Sequence, residues 1–337
     1  MMTIIAVLLP VLCLLICWKA APIARSLSII DFPSPDGGRK THKYPTPLSG
    51  GLAVLVPTLL CLILLAPDYP GIGVIAACAG GMLVLGLLDD RQHISPAWRL
   101  TLSSVTIVLA LLAAPTLTLS FLSFSFLSQP VFLGTLALPF TALCLLGLQN
   151  AVNMADGKNG IVLGMALIWS LTMSLYAGPA LTWPLLTLSL SLAVALVFNL
   201  RGKLFLGDSG SYSLSVLLGL MSLYLVNHAF DRLSADTVMI WFLWPVLDCL
   251  RLIFARALHG RAPFRADRNH LHHYLYDLMP RWWMGLTVYL GMVAAPILLG
   301  LIRPDLGLIW ALLVLFCYIS LFSACQMKKA RGRLASA

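Results

Sequence analysis

Apolar residues fill this chain in long blocks, and polar residues interrupt them in short, concentrated bursts. A helix needs about 20 apolar residues to cross a bilayer. Blocks of that order lie near 3–20, 48–66, 71–88, 100–119, 131–149, 161–177, 181–198, 211–228, 236–256, 283–302 and 306–325. The pattern predicts an all-α polytopic membrane protein with about eleven transmembrane helices. The first block has no basic leading region and no clear small-residue cleavage site, so it reads as a helix rather than a signal peptide. Alternate connections then divide into two sets. One set is short and plain: Pro67–Pro70, Ala177–Ala180, Asn227–Asp236 and Arg303–Asp305. The Ser/Leu/Phe-rich stretch Pro115–Pro130 joins it, as a loop or as an extension of the helix ends. The other set, about 21–47, 89–99, 150–160, 199–210 and 257–282, carries the unusual polar chemistry.

Composition strengthens the membrane reading. The 337 residues are 60% hydrophobic and 10% charged, with a mean hydropathy of +0.92, whereas soluble domains carry about a quarter charged residues. No polar or low-complexity stretch is long enough to be a linker, so 1–337 reads as one transmembrane domain. The net charge of +9 would by itself admit a nucleic-acid partner, but its distribution argues against one. Twenty of the 22 lysines and arginines fall on one side of the eleven-span scheme and only Arg232 and Arg303 on the other. Basic residues accumulate on the cytoplasmic side, so the N-terminus is expected outside, in the periplasm, and the C-terminus in the cytoplasm. The eight cysteines lie inside apolar blocks without metal-like spacing and read as small apolar helix residues. All 13 carboxylates are aspartates, for which we have no physical account.

Four clusters on the basic side carry the candidate chemistry. Asp89 and Asp90 are adjacent carboxylates at a membrane boundary, where mutual repulsion raises one pKa unless a cation offsets it; they read as a solvated helix end or as a base or metal-associated pair. In 150–160, Asn150 and Asn153 share a helix face, with Asp156, Asn159 and two glycines following. Asn, Asp and Gly are also ordinary turn residues. In 205–211, Asp208 followed by Ser-Gly-Ser is either an N-cap or a ligand for Mg²⁺, which takes one or two carboxylates plus phosphate oxygens and water. The segment 261–273 sets Arg265, Arg268, His270, His272 and His273 together. Guanidinium and imidazole donors suit a diphosphate, and the neighbouring cations oppose a second metal there. Asp248, mid-block and costly in lipid, is either a partner for Arg251 or catalytic.

In this order, the segments resemble the polyprenyl-phosphate N-acetylhexosamine-1-phosphate transferase family, over about residues 40–273. The resemblance rests on Lys40-Thr-His42-Lys43, Pro47-Leu-Ser-Gly50-Gly51, the Asp89-Asp90 pair, the Asn150–Gly157 segment, Phe205–Ser211 and the histidine segment. The histidine pattern and the span count are nearer the WecA-like members than the MraY-like ones. The resemblance implies transfer of an N-acetylhexosamine 1-phosphate, most simply GlcNAc-1-phosphate, from a UDP-sugar to undecaprenyl or another polyprenyl phosphate. It implies release of UMP, Mg²⁺ as cofactor with Mn²⁺ as an alternative, and an active site on the cytoplasmic face of a bacterial inner membrane. It also implies a start to lipid-linked cell-envelope glycan synthesis, with membrane lipids around the protein and a homodimer as an allowed assembly.

Residue by residue, the resemblance makes Asp208 and Asn153 metal ligands, and Asp89, Asp90 and Asp156 catalytic candidates, Asp89 as base or lipid-phosphate organiser. It makes Asn150, Asn159, Lys43, Arg265, Arg268, His270, His272 and His273 donor-binding, and Arg99 lipid-phosphate-binding. A phosphate monoester is already anionic at neutral pH, which favours positioning over proton abstraction for Asp89. One departure is that bacterial relatives commonly read DGxDG where this chain has Asp156-Gly-Lys-Asn159-Gly; Asn159 keeps an acceptor, loses a charge and gains a donor.

The main rival is a transporter or lipid-carrier flippase, since polar groups within a bundle also mark transport paths. Against it, the clusters gather on one side and no paired central helix breaks mark inverted repeats. A reporter fused after Ala337 should report a cytoplasmic location; a periplasmic signal would overturn the eleven-span scheme.

Overall fold

The computed structural model describes residues 2–33, 42, 44–229, 232–260 and 269–335. The described residues form thirteen α-helices and two short antiparallel strand pairs, which group into two compact units. The first unit holds α1 (Met2–Trp18), α2 (Ala20–Leu27), β1 (Ile30–Asp31), β2 (Thr46–Pro47), α3 (Gly50–Leu65), α4 (Pro70–Gln92) and α5 (Pro96–Ala113). It continues with β3 (Phe121–Leu122), β4 (Val131–Phe132), α6 (Ala137–Ala155), α7 (Ile161–Ser174), α8 (Pro179–Leu200) and α9 (Gly207–His228). The second unit holds α10 (Ala235–Leu258), α11 (Leu271–Leu278), α12 (Trp282–Ile302) and α13 (Gly307–Ala335), together with the segment Ser123–Pro130.

Each of the eleven apolar blocks forms a helix, and the protein is a multi-pass membrane protein. Length sorts those helices further. Eight are long and apolar enough to cross a membrane, and α1 with α2 makes a ninth if that pair, bent by 71°, is one span. The helices Gly50–Leu65 and Ile161–Ser174, of 16 and 14 residues, are shorter. Eight or nine spans therefore stand on length, against the eleven expected. Two expected loops also contain helices, α2 within 21–47 and α11 within 257–282. Pro115–Pro130 is no helix extension: a 3-10 turn at Pro115–Leu117 leads into β3, which pairs with β4.

In the first unit α9 is the central helix, buried nearly all round and packed by α3, α4, α6 and α7. Its small serines let neighbours approach closely, and two of their hydroxyls bond to backbone: Ser213 donates to the Ala79 carbonyl at 2.7 Å and Ser222 to Gly219 at 2.7 Å. The tightest approach is to α4 at Gly86, where a Cβ would collide with the Ser209 Cα and the Asp208 carbonyl. On another side Gly51 meets Gly210, again with no room for a Cβ. The first N–H groups of a helix have no partner within it. At α3 they are met by loop carbonyls: Gly50 N–H donates to Phe205 O and Gly51 N–H to Leu206 O, both at 2.9 Å. The Pro47–Gly51 motif is thus a backbone docking surface for the turn that starts α9.

In the second unit α10 packs against α12 and α13, and α11 lies against α12 and α13. Asp236, fully buried near the start of α10, accepts from the Ser125 backbone N–H at 3.0 Å and from the Ser125 hydroxyl at 2.5 Å, which clips the 123–130 segment to that helix.

Gly86→Ala should destabilise the fold by about 1–3 kcal/mol, the usual cost of forcing atoms into a packed contact. Thermal unfolding of the detergent-solubilised protein checks this; a melting curve matching wild type would mean that α4 and α9 separate without penalty.

Candidate active site

The adjacent carboxylates of α4 face two different tasks. Asp89 is buried, with one oxygen accepting the Ile94 N–H at 2.8 Å across the turn that closes α4. That turn is possible because His93 adopts a left-handed conformation (φ 53°). The other oxygen of Asp89 accepts from Tyr212 Oη at 2.7 Å and from Arg99 Nη1 at 3.2 Å, and the same Arg99 nitrogen donates to Tyr212 Oη at 2.9 Å. Asp90 turns to the start of α9. Its two oxygens accept the N–H groups of Asp208 at 2.8 Å and Ser209 at 3.0 Å. A carboxylate at a helix N-terminus meets both orphan donors and the positive end of the helix dipole. The turn before it needs Gly207, at φ 77°, where a side chain would also strike the Asp90 carboxylate.

This arrangement removes one of the two sequence readings of Asp208. It is not an N-cap: α9 begins at Gly207, with Leu206 in the capping position, and Asp90 from α4 does the capping. The Asp208 side chain instead accepts from Asn153 Nδ2 at 2.7 Å, and that amide also donates to Ser211 Oγ at 3.0 Å. With its nitrogen committed, Asn153 keeps Oδ1 as its acceptor end. Asp156 follows at the end of α6, outside the apolar helix. Burial in the surrounding protein comes first, and the negative charges of Asp208 and Asp90 add to it, so that its carboxyl is pushed up to about 8. Asp89, Asp90, Arg99, Asn153, Asp156 and Asp208 are thus brought into one electrostatically coupled, oxygen-rich region.

The neighbouring loops are tied by a residue that sequence reasoning missed. Asn199, buried at the end of α8, accepts the Gly160 N–H at 2.7 Å and donates to the Leu204 carbonyl at 3.0 Å, so one amide holds both 156–160 and 202–206. Asn150 is placed differently from its neighbour Asn153, and its Nδ2 donates back to Leu146 O at 2.8 Å on its own helix. Asn159 lies in the turn before α7. Lys43, Arg265 and Arg268 lie outside the described residues. Tyr212 and Ser211 were also given no role by the sequence, although Tyr212 stands four residues after Asp208, on the same helix face.

The second unit has its own polar centre. Asp248, buried in α10, accepts from Arg251 Nη2 at 2.8 Å, Tyr318 Oη at 2.7 Å and the Leu271 N–H at 3.2 Å, and pairs with His270 Nδ1 at 3.1 Å. The reading of Asp248 as a partner for Arg251 is realised. His270 stacks on His272 with ring centres 5.2 Å apart, and His272 lies 4.3 Å from His273. Ligand atoms of Asp248, His270 and His272 fall within 4.8 Å of one another. The Arg251 guanidinium on the same carboxylate disfavours a cation there, so this centre reads as a hydrogen-bonded network rather than a metal site.

Comparison with known proteins bears on the same residues. The model of glycosyl transferase family 4 matches residues 72–226, the stretch from α4 through α9 that builds the acidic region. Over that stretch the chain is similar to glycosyl transferase family 4. The chain is 29% identical to a protein of Bacillus subtilis (strain 168) named "Probable undecaprenyl-phosphate N-acetylglucosaminyl 1-phosphate transferase", over 75% of the chain and 71% of that protein. It is 26% identical to the Yersinia pestis "Undecaprenyl-phosphate alpha-N-acetylglucosaminyl 1-phosphate transferase", over 92% and 87%. The Escherichia coli O157:H7 protein of that same name is 28% identical over 75% and 71%.

The raised Asp156 carboxyl gives this chain a pH signature. Between its ordinary value of 3.8 and about 8, the folded protein keeps a proton that the unfolded chain has lost. Stability therefore falls as pH rises through that window, and the loss is complete above it. In the absence of divalent cations, the melting temperature of Asp156→Asn should fall less steeply from pH 4 to pH 8 than that of wild type; equal slopes would mean that Asp156 titrates as an ordinary carboxylate.

Proposed function

We propose that this chain transfers N-acetylhexosamine 1-phosphate, GlcNAc-1-phosphate in the first instance, from a UDP-sugar to undecaprenyl or another polyprenyl phosphate. An oxygen of the lipid phosphate attacks the sugar-bearing phosphorus of the donor. The bond from that phosphorus to the bridging oxygen breaks, and UMP leaves with the bond's electrons. The observation that carries the reading is Asp208, held by Asn153 and anchored through Asp90 at the start of α9, one turn from the Tyr212–Asp89–Arg99 contact. The names of the relatives support the same reaction.

The donor set fits Mg²⁺. It is made of carboxylate and amide oxygens, the ligands that hard ions take, and the raised Asp156 carboxyl marks negative charge that a cation would neutralise. Asp208 and Asn153 would hold the ion, with Mn²⁺ as an alternative, and its charge would offset that of the two phosphates as they meet. The chain's own residues do the rest. Arg99, part-exposed, offers a guanidinium to the lipid phosphate, and Asp89 with Tyr212 holds that guanidinium in place. Asp89 positions rather than abstracts a proton, because the attacking monoester is already ionised. Asp156 and Asn159 read the nucleotide, with Lys43, Asn150, Arg265, Arg268 and the histidines at the donor. The whole of 1–337 serves this one reaction. In the membrane, all eleven apolar helices cross, the two shorter ones included, with the N-terminus periplasmic and the reaction at the cytoplasmic face of the inner membrane.

Purified protein given UDP-GlcNAc, undecaprenyl phosphate and Mg²⁺ should release UMP and form a lipid-linked diphosphate sugar. Absence of UMP with every UDP-N-acetylhexosamine tried would sink the reading. Asp208→Asn should abolish turnover while leaving folded protein in the membrane; wild-type activity in that variant would remove Asp208 from the metal site.

A further inference from the structure

The three histidines at the start of α11 are not equivalent. His270 and His272 are buried, 6% and 1% exposed, whereas His273 is only partly covered. The burial of His270 has a specific cause. Its Nδ1 lies 3.1 Å from Asp248 Oδ2, and Asp248 Oδ1 already accepts from Arg251 and Tyr318. A carboxylate with a guanidinium and a phenol donating to it is ionised and can only accept. His270 must therefore donate from Nδ1, which leaves Nε2 as the ring's second polar atom. The same carboxylate accepts the Leu271 N–H, one of the orphan donors at the start of α11.

We propose that Asp248 is a positioning residue that works through His270. It fixes the tautomer of that ring and the first turn of α11 together, and His270 in turn seats His272 by stacking, so that His273 is presented at a set angle. Three helices converge on the one carboxylate: Asp248 and Arg251 come from α10, Tyr318 from α13, and His270 with Leu271 from the start of α11. Arg251 extends the clamp, reaching the Asn269 carbonyl at 2.6 Å and lying over the Phe322 ring at 4.0 Å. A carboxylate mid-helix in an apolar span is costly unless partnered, and the partners here all serve to locate one histidine. The ligand-contacting member of the row is then His273, with His270 as scaffold. That division of roles rests on the donor-binding reading above, but the Asp248–His270 link does not.

The experiment therefore has one arm independent of catalysis. In protein labelled with ¹⁵N at its seven histidines, the His270 signals are identified by their loss in His270→Ala. Wild type should show His270 protonated at Nδ1. Asp248→Asn puts an amide where a carboxylate stood and should move the proton to Nε2. An unchanged His270 signal in Asp248→Asn would overturn the proposal whatever the enzyme's substrate. The second arm is kinetic. Asp248→Asn should lower kcat/KM for the UDP-sugar by about 10- to 100-fold, the loss usual when a functional histidine loses its orienting partner, with the KM for lipid phosphate unchanged. Asp248→Asn/His270→Ala should be no worse than His270→Ala alone, whereas multiplied effects would separate the two residues and refute the coupling. Failure of wild type to release UMP would defeat the functional reading only, leaving the ¹⁵N result to decide the link.

Discussion

The first unit depends on a carboxylate placed at the buried start of a helix. Helix α9 begins inside the protein, where water cannot meet its first amide groups, and Asp90 from α4 takes two of them. Around this bond everything else is constrained to close range. Gly86 brings the α4 backbone against Ser209, Gly51 brings α3 against Gly210, and Gly207 supplies the left-handed turn that aims the chain at Asp90. An uncapped helix start in this setting would cost several unmet hydrogen bonds in a medium with no substitute donors or acceptors. The apparent redundancy of two adjacent aspartates thus resolves into one that builds the helix start and one that holds the Arg99–Tyr212 pair.

Charge balance separates the polar centres of the two units. Three carboxylates, Asp90, Asp156 and Asp208, repel one another, and Asp156 answers by holding its proton to about pH 8. Beside Tyr212, one turn along α9, Arg99 of α5 pairs with Asp89 as a positive group. The second unit solves a similar problem the opposite way. Asp248 is matched at once by Arg251, Tyr318 and His270, and nothing is left over. One centre is under-compensated and the other closed, which is the physical difference between a place to bind and a place to brace.

Much of this was legible in the sequence, and the limits have physical causes. The apolar blocks gave every long helix, because lipid demands a length signal that composition carries directly. The same signal could not say that α3 and α7 are short, since flanking residues outside the helices, Leu48 and Ala66 at α3 and Leu175 to Ala177 at α7, are apolar enough to be counted in. Asp208 with Asn153 was found from motif order, and the structure joins them by a hydrogen bond. Asn199, Tyr212 and Tyr318 escaped because each works through a partner distant in sequence, 39, 123 and 70 residues away. Gly86 escaped because its value lies in an absent side chain opposite another helix, and no pattern along a single chain records that.

The contact between Arg99 and Asp89 carries one more consequence. An anion arriving at Arg99 finds the guanidinium already aligned, so little ordering entropy is spent in capturing it. It also finds that guanidinium shared with a resident carboxylate, so the attraction is weaker than a bare cation would exert. A grip of that kind favours exchange over retention. In the proposed reaction it would hold a phosphate long enough to orient it, with Asp89 at hand to reclaim the arginine as the product moves off.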